Sequence, residues 1–169
     1  MTTVNIAYAT KATITCTLAS LGTSSSFVAG RESTEIDNSS NKYDDAMVNG
    51  YIAVGTTPTT NTQIIVYVLG AQESFSTAGV DVFDGTDSAE TVTSAGLGNA
   101  FLRIGSVITV DAATSNVKYP FNIPSIAEVF NGVMPKFWEL FIAHNTVAAL
   151  NATGSNHLIE YTGITYTNA

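Results

Sequence analysis

Charge is in short supply in this chain of 169 residues. Asp, Glu, Lys and Arg together make up 12% of it, about half the roughly 25% of an ordinary globular protein. Basic residues are the scarcest: Lys11, Arg31, Lys42, Arg103, Lys118 and Lys136 stand singly against 14 acids, for a net charge of −8. Phosphate binding needs a clustered cationic footprint, which argues against nucleic acid as a direct partner. Cys16 is the sole cysteine, so no internal disulfide can form. It alternates with Thr13, Thr15 and Thr17 in "ATITCTL", a setting that suits a small buried apolar residue better than a reactive thiol. His144 and His157 are the only histidines, too few for a zinc site without carboxylates from elsewhere. No apolar run approaches the roughly 20 residues needed to span a bilayer, and the N-terminus lacks the basic start and apolar stretch of a signal peptide. The expectation is a soluble, unexported protein with no membrane partner.

Thr, Ser, Asn and Gly fill the gap left by charge, and they favour strands and polar turns. Wherever the sequence has a period, the period is two. In "AMVNGYIAV", Ala46, Val48, Ile52 and Val54 share one face; in "FLRIGSVITV", Leu102, Ile104, Ile108 and Val110 do. "QIIVYVLG" is apolar on both faces, as a strand covered on both sides would be. "KFWELFIAHNT" sets Trp138, Leu140 and Ile142 against Phe137 and Phe141, which flank Glu139. A last strand reads from "HLIEYTGITYT", and shorter ones lie at 3–8, 26–29 and 116–121. Turn clusters such as "GTTPTTN" and "NATGSN" separate them. About eight strands with this punctuation predict an all-β, antiparallel sandwich or barrel in a single domain spanning 1–169. A chain of this length buries roughly 70% of the surface its unfolded form exposes. One short helix is expected at 125–131, with Ser125 as its cap and Gly132 as its stop. Residues 70–100 show no sustained period and read as a long loop.

Catalytic and metal motifs are thin. Asp81, Asp84, Asp87 and Glu90 in "DVFDGTDSAE" could offer oxygens to calcium, but their order is not that of the helix-loop-helix calcium loop, and a solvated acidic loop is expected. His144 reads as a hydrogen-bonded histidine at a strand end. No Gly-x-Ser-x-Gly elbow is present, and "AGLGNA" at 95–100 lacks the third glycine and following helix of a phosphate cradle. Asp44 and Asp45 are adjacent on a strand and point to opposite faces, so they cannot flank one glycosidic bond. Neither an enzyme nor a cofactor is expected.

Seven of the chain's twenty charged residues nevertheless gather in "RESTEIDNSSNKYDD", residues 31–45. Arg31, Glu32, Glu35 and Asp37 read as a charge-marked loop with local ion pairs, which orients a specific protein contact. Phe137 and Phe141 need a cover once Trp138, Leu140 and Ile142 fill the core. A symmetric partner can supply it, or the 125–131 helix or the 70–100 segment can. These six residues are the candidate protein interface.

The runs "AGRESTEIDNSSNKYDDAMVNGYIAVGTTPTTNTQIIVYV" (29–68), "PKFWELFIAHNTVAAL" (135–150) and "YTGI" (161–164) resemble the small jelly-roll virion proteins of tailed bacteriophages that decorate or cement the head. The resemblance covers about half the chain and leaves out 70–100. It implies a two-sheet jelly roll that assembles with itself as a dimer or trimer and binds the major capsid protein on the outer head surface. It also implies a place in the virion after assembly in the bacterial host cytoplasm. The competing expectation is a carbohydrate- or receptor-binding jelly-roll module of a tail or tail fibre.

Overall fold

Alternating apolar residues become strands here because each strand can bury one face and pair along its edges. The computed structural model describes residues 3–168, and in it those strands form two antiparallel sheets. The elements run β1 (Val4–Tyr8), β2 (Ala12–Thr13), β3 (Ala29–Glu32), β4 (Ile36–Asp37), α1 (Asn38–Asn41), β5 (Asp45–Ala53), β6 (Thr62–Ala71), α2 (Phe75–Ala78), β7 (Ala89–Thr91), α3 (Ala95–Phe101), β8 (Arg103–Val110), β9 (Lys118–Ile123), α4 (Ile126–Val129), β10 (Phe137–His144) and β11 (Leu158–Asn168).

One sheet runs β2-β11-β5-β9, with β1 extending the β2 edge along β11; the other runs β3-β10-β6-β8, with β4 continuing β3 along β10 and β7 outside it. Taking β3 and β4 as one interrupted strand and setting β1 and β7 aside, eight principal strands remain. In chain order they fall 1-8-3-6 in one sheet and 2-7-4-5 in the other. That is the strand order of a jelly-roll sandwich. Ala46, Val48 and Ile52 of β5, with Val54 just beyond it, face Val66, Val68, Trp138, Leu140 and Ile142 across the interior. Each large side chain of this kind contributes roughly 1.5–3 kcal/mol by leaving water.

The sequence differs from the structure in three places. First, Ile104 does not share a face with Ile108. The register of β8 against β6 shifts so that Val66 pairs with Ser106 and Tyr67 with Ile104. A side chain at Gly105 would run into Ile123 and Val68 of the interior. The bulge thus turns Gly105 inward and leaves Ile104 60% exposed, as an extra residue in one strand does. Second, among the described residues short α-helices form at four places, the expected α4 among them, and a 3-10 turn forms at Gly154–Asn156. Asp37, Ser94 and Ser125 cap three of them by accepting backbone N–H groups of Ser39, Leu97 and Glu128. "AGLGNA" lies inside α3 rather than before a helix.

Third, 70–100 is not an open loop. β6 and β8 are neighbours, yet the chain between them makes an excursion over residues 72–102. It carries α2, β7 and α3 across the outer face of the second sheet, where β7 pairs with β3. Phe75, Phe83 and Val92 of this insertion are buried with Leu69, Phe141 and Ala143 of the sheet in a second apolar cluster. Phe83 stands edge-on to Phe141 at 5.2 Å and to Phe101 at 5.7 Å. The cover that Phe137 and Phe141 need is therefore internal.

Candidate functional site

The six residues expected at a protein interface largely do meet another surface, but it is the chain's own insertion. Arg31 Nε donates to Asp87 Oδ1 at 2.6 Å, and Arg31 Nη2 donates to the Asp87 carbonyl. Glu32 is fully buried, and its Oε1 accepts the N–H groups of Asp84 at 3.0 Å and Gly85 at 2.5 Å. Glu35 accepts from Ser74 Oγ and from the Phe75 N–H at the start of α2. Phe141 is fully buried under Phe83, and Phe137 is half-buried with the Lys136 ammonium over its ring. Asp37 alone stays exposed, as the cap of α1. Glu32 and Phe141 are thus unavailable to another molecule while the insertion is docked. The expected local ion pairs are replaced by contacts about 40–55 residues away in sequence.

Glu139 belongs to the same layer. Its neighbours Trp138 and Leu140 point into the sandwich, so it points outward, beneath the insertion, and it is fully buried. Both its carboxyl oxygens and Glu32 Oε2 have no protein donor. Glu32 lies opposite Phe141, and Glu139 is two residues from Phe141 on the same face of β10, so the two buried carboxyls are diagonal neighbours across the strand pair. Burial, followed by the charge of Glu32, pushes Glu139 up to about 11. Burial likewise raises Glu32, although the N–H groups of Gly85 and Asp84 oppose it. The sequence signal for this site was present: a lone acid within "FWELFIA", a strand apolar on both faces.

The remaining chemical candidates are dispersed. Asp81 accepts from the Thr93 N–H and hydroxyl, Asp84 from Thr86, Asp87 from Arg31 and Thr17, and Glu90 from Ser88. Asp84 and Glu90 tie down their own turns, Asp81 and Asp87 reach other segments, and among the described residues no three Asp, Glu, His or Cys side chains converge as metal ligands. His144 is buried at the end of β10, where its Nε2–H donates to the Leu21 carbonyl at 2.9 Å and Nδ1 lies 2.9 Å from Thr146 Oγ1. Burial lowers its pKa, which keeps the ring neutral. His157 links the Asn151 loop to β5 by donating to the Asn151 carbonyl and accepting from the Ala53 N–H. Cys16 is a half-buried thiol whose pKa burial raises, so it has little thiolate character. Asp45 turns inward to accept from Ala46 and Ala127, while Asp44 accepts from Tyr166. The two acids diverge as their adjacency requires.

A second feature lies at the surface. β5 pairs with β11 only as far as Asp45 opposite Ile164. Beyond that point β11 pairs with β1, Ile6 opposite Tyr166 and Val4 opposite Asn168. The result is a two-stranded ribbon that runs past the sandwich. Side chains alternate along a strand and directly paired residues share a face, so Val4, Ile6, Tyr8 and Tyr166 lie together. They are 60%, 55%, 65% and 50% exposed. Asn5, Ala7, Thr165 and Thr167 occupy the opposite face, and no residue from 3 to 9 or 162 to 168 is charged. On the far edge of β11, Asp44 takes up the Tyr166 N–H, which blocks further strand pairing there. The alternation at 3–8 revealed the strand, but sequence reasoning missed its exposure, because an alternating strand and an unpartnered one look alike.

No family model, curated protein or solved structure matches this chain.

Proposed function

We propose that this protein is a structural component of a bacteriophage virion, a head decoration or cement protein that associates with its own copies and with the major capsid protein. The observation that carries the reading is the apolar, charge-free face of the β1–β11 ribbon. Isolated two-stranded ribbons are marginal in water, and a face of exposed Val, Ile and Tyr is stabilised when another surface covers it. The same ribbon repeated around a rotation axis buries its apolar face in every subunit and closes the assembly. The jelly-roll order of the sheets and the likeness of residues 29–68 and 135–150 to virion jelly rolls support the same reading. The rival reading, a sugar-binding tail module, has less support: Trp138, the sole tryptophan, is fully buried against Tyr161 rather than offered as a platform.

Light scattering of the purified chain is the first test. A mass that is a multiple of 17.7 kDa is expected at micromolar concentration, and Ile6→Asp should return it to the monomer with its circular dichroism unchanged. A wild type that stays monomeric would overturn self-assembly through the ribbon. Co-sedimentation with heads built from a major capsid protein encoded beside this gene then tests the partner. Absence of such a gene, or of binding that Ile6→Asp abolishes, removes the capsid reading.

A further inference from the structure

The layer between the second sheet and the insertion contains two carboxyls, Glu32 on β3 and Glu139 on β10, both fully buried. Three of their four oxygens find no protein donor. Two ionised carboxylates that are diagonal neighbours out of water repel strongly, and the three free oxygens have nothing in place of their solvation. One proton between them removes the repulsion and supplies the missing donor. The fourth oxygen, Glu32 Oε1, is engaged by the Asp84 and Gly85 N–H groups of the insertion. The charge state of the pair is therefore in direct contact with the segment that covers it.

We propose that Glu32 and Glu139 hold one proton between them, and that this acid pair is a latch that keeps residues 72–102 docked on the sheet and lets them go when the proton is lost.

The groups around the pair favour retaining the proton. Asp84 from the insertion and Glu35 from the β3–β4 connection both face Glu139 and add negative charge. Tyr67 on the adjacent β6 is neutral at ordinary pH, and burial raises its pKa. The nearby cations are engaged elsewhere: Arg31 by Asp87, and Lys136 over the Phe137 ring. Glu139 is raised from its ordinary 4.5 to about 11, by burial first and by Glu32 second. The docked state thus holds a proton that an opened one releases. Its stabilisation is fully present below about pH 4.5 and is lost progressively as pH rises toward 11. Within that window, each pH unit raises the opening equilibrium by up to about tenfold.

Hydrogen exchange at the Asp84 and Gly85 amides tests the latch, with wild type and Glu139→Gln compared at the same pH so that intrinsic exchange cancels. A Gln side chain keeps a donor for Glu32 and cannot ionise. The wild-type rate should rise relative to the variant by about tenfold or more between pH 6 and pH 9, while the ratio for β6 and β10 amides stays constant. A ratio at Asp84 and Gly85 that does not change with pH overturns the latch. If Glu139→Gln does not fold, the double variant Glu32→Gln/Glu139→Gln, in which neither side chain can ionise, serves in the same comparison. Carboxyl carbon NMR of the wild-type protein needs no variant: one carboxyl of the pair should remain protonated at pH 7, and titration of both between pH 4 and 5 refutes the proposal.

Discussion

The second sheet is packed on both faces, by different means. Its inner face meets the first sheet through Val66, Val68, Trp138, Leu140 and Ile142, with ionisable side chains of β5, β6 and β10 confined to its ends, where His144 binds the Leu21 carbonyl and Asp45 the Ala127 N–H. Its outer face meets the insertion through Phe141, Phe83, Phe75 and Val92, but also through Glu32, Glu35 and Glu139, while the Arg31–Asp87 pair ties the insertion to the β3 edge. Apolar burial is non-directional and holds the sheets together wherever shapes fit. Carboxylates that accept specific backbone N–H groups contribute less net stability, yet they fix which turn of the insertion sits where, because an unpaired buried acid is costly. The inner layer holds the fold together, and the outer one specifies a docking position.

The largest test of that contrast is Trp138→Ala. It should cost about 3–5 kcal/mol and lower the thermal midpoint of the whole chain by roughly ten degrees or more, followed by circular dichroism. If only the insertion loosens, the two layers are not separate. Phe83→Ala should cost about 3 kcal/mol, confined to the insertion. Protease cleavage within 72–102 should then accelerate by about a hundredfold while the β spectrum persists; equal loss of the sandwich would erase the distinction. The smallest effect belongs to Asp87→Asn, at about 1 kcal/mol. Burial disfavours the Asp87 charge, but the Arg31 and Thr17 hydrogen bonds outweigh it and hold its pKa below the ordinary 3.8. Its stabilisation is therefore present above pH 3.8 and lost as pH falls through the lower folded value, opposite in sign to the Glu32–Glu139 pair. Wild type should lose this increment in strong acid, and Asp87→Asn should not. Matched acid melts of the two proteins measure the difference.

Much of the fold was legible because alternation reports burial directly. Ala46, Val48, Ile52 and Val54, and separately Trp138, Leu140 and Ile142, sit on the faces their spacing assigns. Ile104 was misread because one bulged residue inverts a period of two, and Gly105 was its only marker. The insertion was opaque for another reason: Phe75, Phe83, Val92 and Phe101 anchor separate turns and so follow no common period. The charge cluster at 31–45 announced that something binds there, but not that the partner is the chain itself. Ion pairing with Asp87 and capping of the 84–85 turn depend on contacts that only the folded topology brings together.

The place where the insertion enters has a consequence for how the chain folds. In a sheet where neighbours are joined by a tight turn, their hairpin is among the earliest structures to form. Here β6 and β8 are neighbours separated by residues 72–102. Loop-closure entropy makes bringing them together costlier by about 2 kcal/mol than across a four-residue turn. β10 pairs over its full length with β6 as well, but it is still further along the chain. Every pairing that builds the second sheet is therefore long-range, which puts the chain among slow-folding β-proteins with relaxation in milliseconds to seconds. During that interval Phe141, Glu139 and Glu32 lie open to water, so the acid pair begins folding ionised at neutral pH and must capture its proton as the insertion closes.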